Sequence, residues 1–390
     1  MEKVLITGGA GFIGNAIINN LHKKNKYEII VLDNFSQQIH GSDFQKSYLF
    51  EGIKDKCEII HGDVRNIEDW KKAIPEIDYV IHLAAETGTG QSMYEVNRYN
   101  EVNIMGLSNL FDILLKGNHK VKKIILSSSR SIYGEGMYKC QNHGIVVPES
   151  RRAEDMLNGD FEPKCPQCGG ELELVKTNEN CSSSPVSLYA FTKYAQEKML
   201  EVMCPVLKIP YTIFRYQNVY GAGQSLKNPY TGILSIFSNL FLANKEINIF
   251  EDGQESRDFV HVEDVARTTL NALDNPRTDN EIINIGSGIN TTVIQIANRL
   301  KELYQSSSEI TITGDFRLGD IRHNIADIDK AKELCGFESR YTFDEGIESF
   351  VDWVKKAHEQ ESTEDNDSFQ NSIGEMKNSG ILFRGKVNEK

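Results

Sequence analysis

A glycine-rich segment near the start of the chain limits the possible folds more than any other feature. It lies between a short apolar run, Val4–Thr7, and a stretch with helical spacing of apolar residues, Phe12–Lys24. Its glycines satisfy both G-x-G-x-x-G and G-x-x-G-x-x-G. In a strand–turn–helix context, such glycines let the backbone approach a pyrophosphate at the positive end of the helix. A dinucleotide-binding turn is therefore predicted, a tight turn without a ligand being the alternative. The predicted contacts in this turn are Gly8, Gly11, Phe12, Ile13 and Gly14.

Residues that follow the next predicted strands extend this site. Asp33 ends the second strand, Glu28–Asp33, about 20 residues after the turn. Because a carboxylate there accepts the ribose 2′-hydroxyl and repels a 2′-phosphate, NAD is favoured over NADP. Asp63 follows the third strand and is expected either to hold the adenine edge or to cap the next helix. The predicted cofactor contacts after strands two to four are Asp33, Asn34, Asp63, Val64, Leu83, Ala84 and Ala85.

Short β-branched runs alternate with amphipathic stretches through the first half of the chain. This alternation predicts an α/β fold built on a Rossmann-type, doubly wound parallel sheet. Long helices are expected over Ser92–Leu115 and Leu188–Met203. The alternation is interrupted between Tyr133 and Ser187, which indicates an insertion.

The predicted organisation has four parts. Residues 1–135 and 182–220 form the NAD-binding domain, to which segments around 255–290 return. Residues 136–181 are a Cys/His-rich insertion, and residues 221–355 form mainly a smaller substrate-binding domain. Residues 357–390 are a polar C-terminal extension, expected to be a solvated linker with a weak helix around Phe369–Met376.

Charge and composition exclude several functional classes. The chain has 43 Lys and Arg against 56 Asp and Glu, a formal net charge of −13, which argues against nucleic-acid binding. No apolar run reaches the roughly 18–20 residues that span a bilayer, so no membrane association is expected. The N-terminus has the pattern of a strand and not of a signal peptide. Seven cysteines in 390 residues do not indicate a secreted disulfide scaffold, and a cytoplasmic location is expected.

Tyr189 and Lys193 are four residues apart, on one face of a predicted helix. A neighbouring ammonium ion favours the phenolate and draws the pKa of the phenol toward neutral pH. The spacing is common by chance, but the run Ser127–Ser131 adds hydroxyl groups at the carboxyl edge of the sheet. Substrates bind at that edge in doubly wound folds, so the combination favours a proton-transfer site.

With these motifs the sequence resembles the extended short-chain dehydrogenase/reductase family, specifically its nucleotide-sugar epimerases and dehydratases. The resemblance spans about residues 1–355 and includes Arg215–Gly221 and Arg257–Val265. It implies that the catalytic residues are Ser129, Tyr189 and Lys193, the last two also contacting NAD. The residues implied to bind a nucleotide-diphosphate sugar are Gln91, Ser92, Arg130, Asn218, Arg257 and Arg322. For Arg257, a surface ion pair with Asp258 is the alternative interpretation.

The residues after Ser129 decide which reaction the resemblance implies. Dehydratases of this group carry an Asp-Glu pair there, because loss of water needs a second acid and base. Arg130 and Ser131 occupy those places, so reversible hydride transfer is expected. In the implied 4-epimerase, Tyr189 takes the proton of the sugar 4-hydroxyl while the carbon gives hydride to tightly bound NAD. The 4-keto sugar then rotates, and hydride returns to its other face.

Three segments look most like those of dTDP-L-rhamnose 4-epimerases: Leu83–Met93, Ser127–Gly136 and Gly319–His323. They imply dTDP-L-rhamnose or a related dTDP-6-deoxy sugar as substrate. The alternatives are a 4-epimerase of a UDP-hexose or UDP-uronate, a nucleotide-4-keto-sugar reductase, and a non-catalytic dinucleotide-sensing protein. The family also implies a homodimer formed by two helices from each subunit, although burial within the monomer explains the same apolar faces nearly as well.

The insertion contains two pairs of potential metal ligands, C-x-x-H and C-x-x-C, separated by 21 residues. This spacing is typical of a zinc ribbon and predicts a tetrahedral structural zinc site formed by Cys140, His143, Cys165 and Cys168. Such a closed site leaves no coordination position for water and is not expected to be catalytic. The alternatives are Cys181 as the fourth ligand in place of His143, or four unrelated loop residues.

Overall fold

The computed structural model describes residues 1–117, 119–226, 228, 230, 232–360 and 368–386. Strands and helices alternate in its N-terminal part as the sequence predicts. The strands here are β1 (Glu2–Thr7), β2 (Tyr27–Asp33), β3 (Glu58–His61), β4 (Tyr79–His82) and β5 (Lys123–Ser129). The helices are α1 (Phe12–Lys24), α2 (Gln37–His40), α3 (Tyr48–Glu51), α4 (Ile67–Ala73), α5 (Thr89–Ser92), α6 (Val96–Tyr99) and α7 (Gly106–Lys116).

The remaining elements are shorter, apart from three long helices. The insertion contributes β6 (Tyr138–Cys140), β7 (Gly144–Val146), α8 (Ala153–Leu157) and β8 (Leu172–Leu174). The following strands are β9 (Tyr211–Tyr216), β10 (Asn218–Tyr220), β11 (Ile247–Ile249), β12 (Ser256–Arg257), β13 (Phe259–His261), β14 (Glu281–Ile285), β15 (Thr291–Thr292), β16 (Ile310–Ile312), β17 (Asp315–Arg317), β18 (His323–Asn324) and β19 (Leu382–Arg384). The following helices are α9 (Leu188–Leu207), α10 (Ile233–Leu242), α11 (Val262–Asn271), α12 (Val293–Tyr304), α13 (Asp329–Cys335), α14 (Phe343–Gln360) and α15 (Ser368–Asn378).

Seven parallel strands form the central sheet, in the order β14-β9-β5-β4-β1-β2-β3. Successive residues of β1 enter different cores: Val4 and Ile6 pack on one side of the sheet, and Leu5 packs on the other. Burial of both faces explains why the strand sequences are almost continuously apolar. The predicted α/β, doubly wound fold is confirmed, and all seven carboxyl ends meet at one edge.

The predicted long helix over Ser92–Leu115 begins later and is less regular than expected. Helix α5 ends at Ser92, and α6, a π-helical turn at Asn100–Met105 and α7 then follow without a break over Val96–Lys116. Asn103, buried in the π turn, exchanges hydrogen bonds with the backbone of Glu86 and donates to the hydroxyl of Thr192. Hydrophobic spacing does not register such side-chain contacts, and π turns commonly occur beside functional sites.

The C-terminal extension is also more ordered than predicted. Helix α14 continues to Gln360, three residues past the expected start of the linker. The polar run at 361–367 and residues 387–390 lie outside the described residues. Helix α15 covers the predicted weak helix, and β19 pairs antiparallel with β17. In the described part of the chain, no helix is both long and apolar enough to cross a bilayer.

Candidate active site

A cavity of about 600 Å³ lies along the carboxyl edge of the sheet and continues into the smaller domain. Most residues predicted to contact the dinucleotide line it. These are Gly8, Gly11, Phe12, Ile13, Gly14, Asp33, Asn34, Val64, Leu83, Ala84 and Ala85. The turn between β1 and α1 therefore faces the same space as the ends of β2 and β4.

Two glycines of this turn are required by its shape. A Cβ on Gly14 would lie 2.5 Å from the carbonyl oxygen of Gly9, so no side chain fits where helix and turn meet. Gly8 has φ +67°, and a Cβ there would lie 2.7 Å from the amide nitrogen of Ala84. The backbone is thus closely packed at the start of α1, as close approach to a pyrophosphate requires.

Asp33 ends β2 with its carboxylate inside the cavity. Its oxygens accept hydrogen bonds from the amides of Ala10 and Phe35, each within 2.9 Å. Burial raises the pKa of this carboxyl group, and the two amides oppose the increase. The Asp33 carboxylate is suited to bind the adenosine ribose, and the glycine turn is suited to bind the pyrophosphate. The described residues therefore fit NAD.

Asp63 is the exception among the predicted cofactor residues, because it does not line the cavity. Its carboxylate binds the side chain of Arg65 at 2.8 Å and accepts a hydrogen bond from Asn34. It does not cap α4 either, since that helix has Asn66 as its N-cap. Neither expected role of Asp63 is seen, and the adjacent Val64 contributes the cavity wall instead.

Ser129, Tyr189 and Lys193 meet in the cavity, where β5 ends and α9 begins. The Ser129 hydroxyl accepts hydrogen bonds from the amide and the hydroxyl of Ser131, at 3.2 and 3.0 Å. Its own proton is therefore free to be donated toward Tyr189, whose pKa the neighbouring Ser129 hydroxyl lowers against the effect of burial. Lys193 donates to the carbonyl oxygen of Ser127 at 2.9 Å. The structure thus brings the three predicted catalytic side chains into one site.

The pKa values of Tyr189 and Lys193 differ from the expectation. Burial raises the pKa of Tyr189, and the opposing influences are the hydrogen bond with Ser129 and the charge of Arg130. Burial lowers the pKa of Lys193 to about 7, against the charge of Glu197. The desolvated ammonium group of Lys193 does not lower the pKa of the Tyr189 phenol toward neutral pH in the protein alone. The predicted lowering of the Tyr189 pKa is therefore wrong for the protein without ligands.

A buried ion pair supports the catalytic helix. Glu197, one turn beyond Lys193, accepts two hydrogen bonds from Arg215 of β9, at 3.0 and 2.7 Å, and one from Ser128. Arg215 also donates to the hydroxyl of Tyr133 at 2.8 Å. Sequence reasoning missed this support, although i,i+4 spacing on α9 relates Glu197 to Lys193.

Three of the six predicted substrate residues, Arg130, Asn218 and Arg257, line the cavity. Arg257 donates to the carbonyl oxygens of Ser256 and Arg322. Asp258 does not form the alternative surface pair with it, because its carboxylate is buried and accepts from three backbone amides. The guanidinium of Arg257 is therefore held by backbone at the cavity wall, where it can meet an anionic group.

The other three predicted substrate residues do not line the cavity. Arg322 is 1% exposed and binds carboxylates, with Nη1 2.9 Å from Glu251 and Nη2 2.6 Å from Glu162. Gln91 is buried and donates toward Gln38, while Ser92 donates to the carbonyl oxygen of Thr89. The structure does not place these three side chains at the cavity, since each is satisfied within the protein, and their substrate contacts stay a prediction.

Several cavity residues were not predicted. The loop after β10 contributes polar side chains, and the smaller domain contributes charged ones. These residues are Gln224, Ser225, Asn228, Tyr230, Glu251, Glu255, Arg317 and Asp320. In the sequence, the signal for this loop is the pair of glycines Gly221 and Gly223, and both have positive φ in the structure. The glycines indicate a loop but do not show which side chains point inward.

The four predicted metal ligands form one cluster in the insertion. Their ligand atoms lie within 4.8 Å of one another. Sγ of Cys140 is 3.8 Å from Sγ of Cys168 and 3.5 Å from Nδ1 of His143, which is also 3.5 Å from Sγ of Cys165. A tetrahedral zinc with usual bond lengths separates its ligands by about 3.5–3.8 Å. Cys181 lies elsewhere, its thiol directed to the carbonyl oxygen of Ser182, and is not the fourth ligand.

A parallel sheet with a glycine turn, and a Ser–Tyr–Lys group in the same cavity, define a dinucleotide-dependent enzyme. The profile of the NAD-dependent epimerase/dehydratase family matches residues 4–286. The chain belongs to this family, and the predicted enzyme of the nucleotide-sugar epimerase group is confirmed.

Individual relatives differ in the nucleotide sugar that their names give. The dTDP-L-rhamnose 4-epimerase of Burkholderia thailandensis is 36% identical, over 90% of this chain and 95% of that protein. The crystal structure of the Thermotoga maritima UDP-glucose 4-epimerase with UDP-glucose is 31% identical, with a TM-score of 0.73, covering 91% and 99% of the two chains. A Bacillus cereus UDP-glucuronic acid 4-epimerase with NAD is 24% identical, with a TM-score of 0.74 and the same coverage, and that likeness concerns the fold alone.

Proposed function

We propose that the protein is a 4-epimerase of dTDP-L-rhamnose or a related dTDP-6-deoxy sugar, with tightly bound NAD. The observation that carries the proposal is the meeting of Ser129, Tyr189 and Lys193 in the cavity that also contains the glycine turn and Asp33. The choice of sugar is supported by the 36% identity to the dTDP-L-rhamnose 4-epimerase of Burkholderia thailandensis.

Each residue has a separate role in this proposal. Tyr189 removes the proton of the sugar 4-hydroxyl and later returns it, and Ser129 holds the oxygen through its hydroxyl proton. Lys193 provides positive charge beside the phenol and a donor for the nicotinamide ribose. NAD, when bound, supplies the hydride acceptor that is restored at the end of each turnover. Arg257 pairs with the diphosphate, for which a guanidinium is well suited.

Arg130 and Ser131, directly after Ser129, bear on whether the reaction includes dehydration. Neither is a carboxylic acid, so the acid–base pair that dehydratases carry directly after the serine is replaced here. Burial lowers the pKa of Arg130 to about 9, and its Nη1 has no hydrogen-bond partner in the described residues. A buried guanidinium with a free donor is suited to bind an electronegative oxygen of the substrate. It is not suited to catalyse the loss of water.

A panel of dTDP-, UDP-, GDP- and CDP-sugars, followed by NMR of the products without added NAD, tests the proposal. The expected result is inversion at C4 of a dTDP-6-deoxy sugar by protein that retains NAD through purification. Tyr189→Phe should lower kcat by at least about 10³-fold while NAD stays bound, and Tyr194→Phe on the same helix should leave kcat unchanged.

The second candidate is a UDP-sugar 4-epimerase, which the 31% identity to the Thermotoga maritima structure with UDP-glucose supports. Inversion of a UDP-sugar alone would establish it. Stoichiometric consumption of reduced dinucleotide would instead indicate a 4-keto-sugar reductase, and turnover of no sugar would indicate a non-catalytic dinucleotide-sensing protein.

We also propose that the insertion holds a structural Zn²⁺. The supporting observation is the agreement of the ligand separations with a tetrahedral site of three thiolates and one imidazole. The metal would be bound by Cys140, His143, Cys165 and Cys168 and would stabilise the three-stranded part of the insertion, where the apolar cluster of the described residues has four buried members. Because all four positions are protein ligands, the metal takes no part in the reaction.

A cytoplasmic homodimer completes the proposal. Helix α9 exposes Phe191, Val202 and Val206, at 50%, 65% and 65%, and the neighbouring π turn exposes Met105 at 54%. Apolar side chains at such exposure on adjacent helices support pairing with a second copy. Light scattering should give twice the chain mass, and a monomer at micromolar concentration would contradict the dimer. The seven unpaired cysteines are consistent with a reducing compartment.

A further inference from the structure

The segment 368–386 is firmly attached to the body of the protein. Strand β19 pairs with β17, and Phe383 stacks on Phe316 with ring centroids 5.7 Å apart. The Gly385 amide donates to the carbonyl oxygen of Gly314, and the Lys386 amide donates to that of Leu157 in the insertion. The family profile ends at residue 286, so this segment lies beyond the part of the chain that defines the family.

Helix α15 precedes this attachment and forms part of the cavity wall. Ile373 and Met376 line the cavity, and Met376 is only 2% exposed. The Glu375 carboxylate accepts hydrogen bonds from the hydroxyls of Tyr94 and Tyr230, at 3.1 and 2.5 Å. Both hydroxyl groups donate to the same oxygen of Glu375, so this residue anchors α15 beside the cavity.

Contacts of Met376 place it beside the segment that follows β4. Its sulfur would be 3.2 Å from a Cβ on Gly90, in helix α5. Helix α5 packs against α9, which carries Tyr189, and the preceding residues Thr87 and Gly88 also line the cavity. Asp33, at the dinucleotide end, belongs to a strand on the other side of β1.

The catalytic part of the cavity wall carries hydroxyl, ammonium and guanidinium groups, from Ser127, Ser128, Ser129, Arg130, Ser131, Tyr189 and Lys193. Ile373 and Met376 add a hydrocarbon and thioether surface to the same cavity. A sugar in this cavity can therefore meet both hydrogen-bonding groups and an apolar wall.

We propose that Met376 determines substrate specificity by contacting the deoxygenated carbon of the sugar. The inference rests on the proposed function, because it requires a nucleotide sugar in the cavity. A methyl group gains from burial against a thioether, whereas a hydroxyl or carboxylate there loses water without gaining a partner. The wall therefore favours a 6-deoxy sugar over the corresponding hexose or uronate.

Titration calorimetry of the full-length, NAD-loaded protein with three probes tests the inference. The probes are dTDP, dTDP-L-mannose and dTDP-L-rhamnose, and the two sugars differ only at C6. Wild-type protein should bind the 6-deoxy sugar about tenfold more tightly than the hexose. Met376→Ala should reduce that ratio to about twofold and leave the Kd for dTDP unchanged. Met376→Leu should restore most of the ratio, and Lys377→Ala, on the exposed side of α15, should preserve it.

Two results would overturn the inference, and they have different meanings. Equal Kd values for the two sugars in the wild type, or a ratio unaffected in Met376→Ala, would exclude Met376 while leaving the epimerase proposal intact. Wild-type protein that binds neither dTDP nor either sugar would contradict both proposals. A thermal melting curve identifies a variant that is merely unfolded. Met376→Gln, of similar length but polar, then provides the decisive ratio, which should fall to about twofold or less, and an unchanged ratio would exclude Met376.

Discussion

Arg215 and Glu197 form a two-pronged ion pair, with nitrogen–oxygen distances of 3.0 and 2.7 Å, one helical turn beyond Lys193. Both side chains are at least 96% buried. The pair joins the catalytic helix α9 to strand β9 inside the sheet, so the position of Lys193 depends on a contact between two side chains that do not themselves line the cavity.

Glu197→Gln should therefore destabilise the protein and reduce turnover together. Removing one partner leaves the Arg215 charge buried without compensation, which typically costs about 3–5 kcal/mol of the free energy of unfolding. Urea unfolding measures the loss. Glu201→Gln, at an exposed ion pair one turn further along α9, is the matched control and should change the free energy by less than about 1 kcal/mol.

Arg257 and Arg322 should respond differently to replacement by glutamine. Arg257→Gln should raise KM for the nucleotide sugar about tenfold or more, because a cavity-lining guanidinium is lost. Arg322→Gln should instead lower the free energy of unfolding by about 3–5 kcal/mol, since the carboxylates of Glu162, Glu251 and Asp252 lose the cation that they share. Steady-state kinetics and urea unfolding separate the two effects. An Arg322→Gln protein with normal stability and a raised KM would restore its predicted role in diphosphate binding.

Asp33→Asn should relax the choice of dinucleotide. The charge that repels a 2′-phosphate is removed, so the ratio of Kd values for NADP and NAD should fall by about tenfold or more. Titration of protein stripped of dinucleotide measures the ratio. Asp63→Asn is the control, and because Asp63 does not line the cavity the ratio should stay at the wild-type value. An unchanged ratio in Asp33→Asn would mean that another residue contacts the ribose.

Cys165→Ser should abolish metal binding, whereas Cys181→Ser should not. Elemental analysis of the wild type should give one zinc per chain, and the Cys165 variant should hold well under a tenth of that. Its melting temperature should fall because the insertion loses a cross-link, while bound NAD should be retained. Wild-type protein with well under one zinc per chain would falsify the metal proposal, and zinc loss from Cys181→Ser would restore that residue as a ligand.

Features encoded within one element or one turn were predictable from the sequence. The glycine turn, the pair Tyr189 and Lys193, and the acid at the end of β2 have fixed spacings, because strand, turn and helix geometry sets the distances between them. The Cys/His cluster belongs to the same kind of feature, since two short knuckles bring their own ligands together.

Features that depend on distant partners were not predictable. Arg322 is surrounded by Glu162 and Glu251, which are 160 and 71 residues away in the chain. The π turn at Asn100–Met105 depends on a side chain bound to another segment. Met376 belongs to a stretch whose polar composition indicates a linker, and only its return to the body gives it a place in the cavity.

The pairing of β19 with β17 has a consequence for biosynthesis. The glycine turn and the parallel sheet can assemble from residues made early, but the wall supplied by α15 closes only after residue 384 has left the ribosome. A nascent chain that already holds its dinucleotide thus lacks a finished sugar compartment. A bulky tag fused directly behind Lys386 would crowd the helix of the insertion that receives that residue.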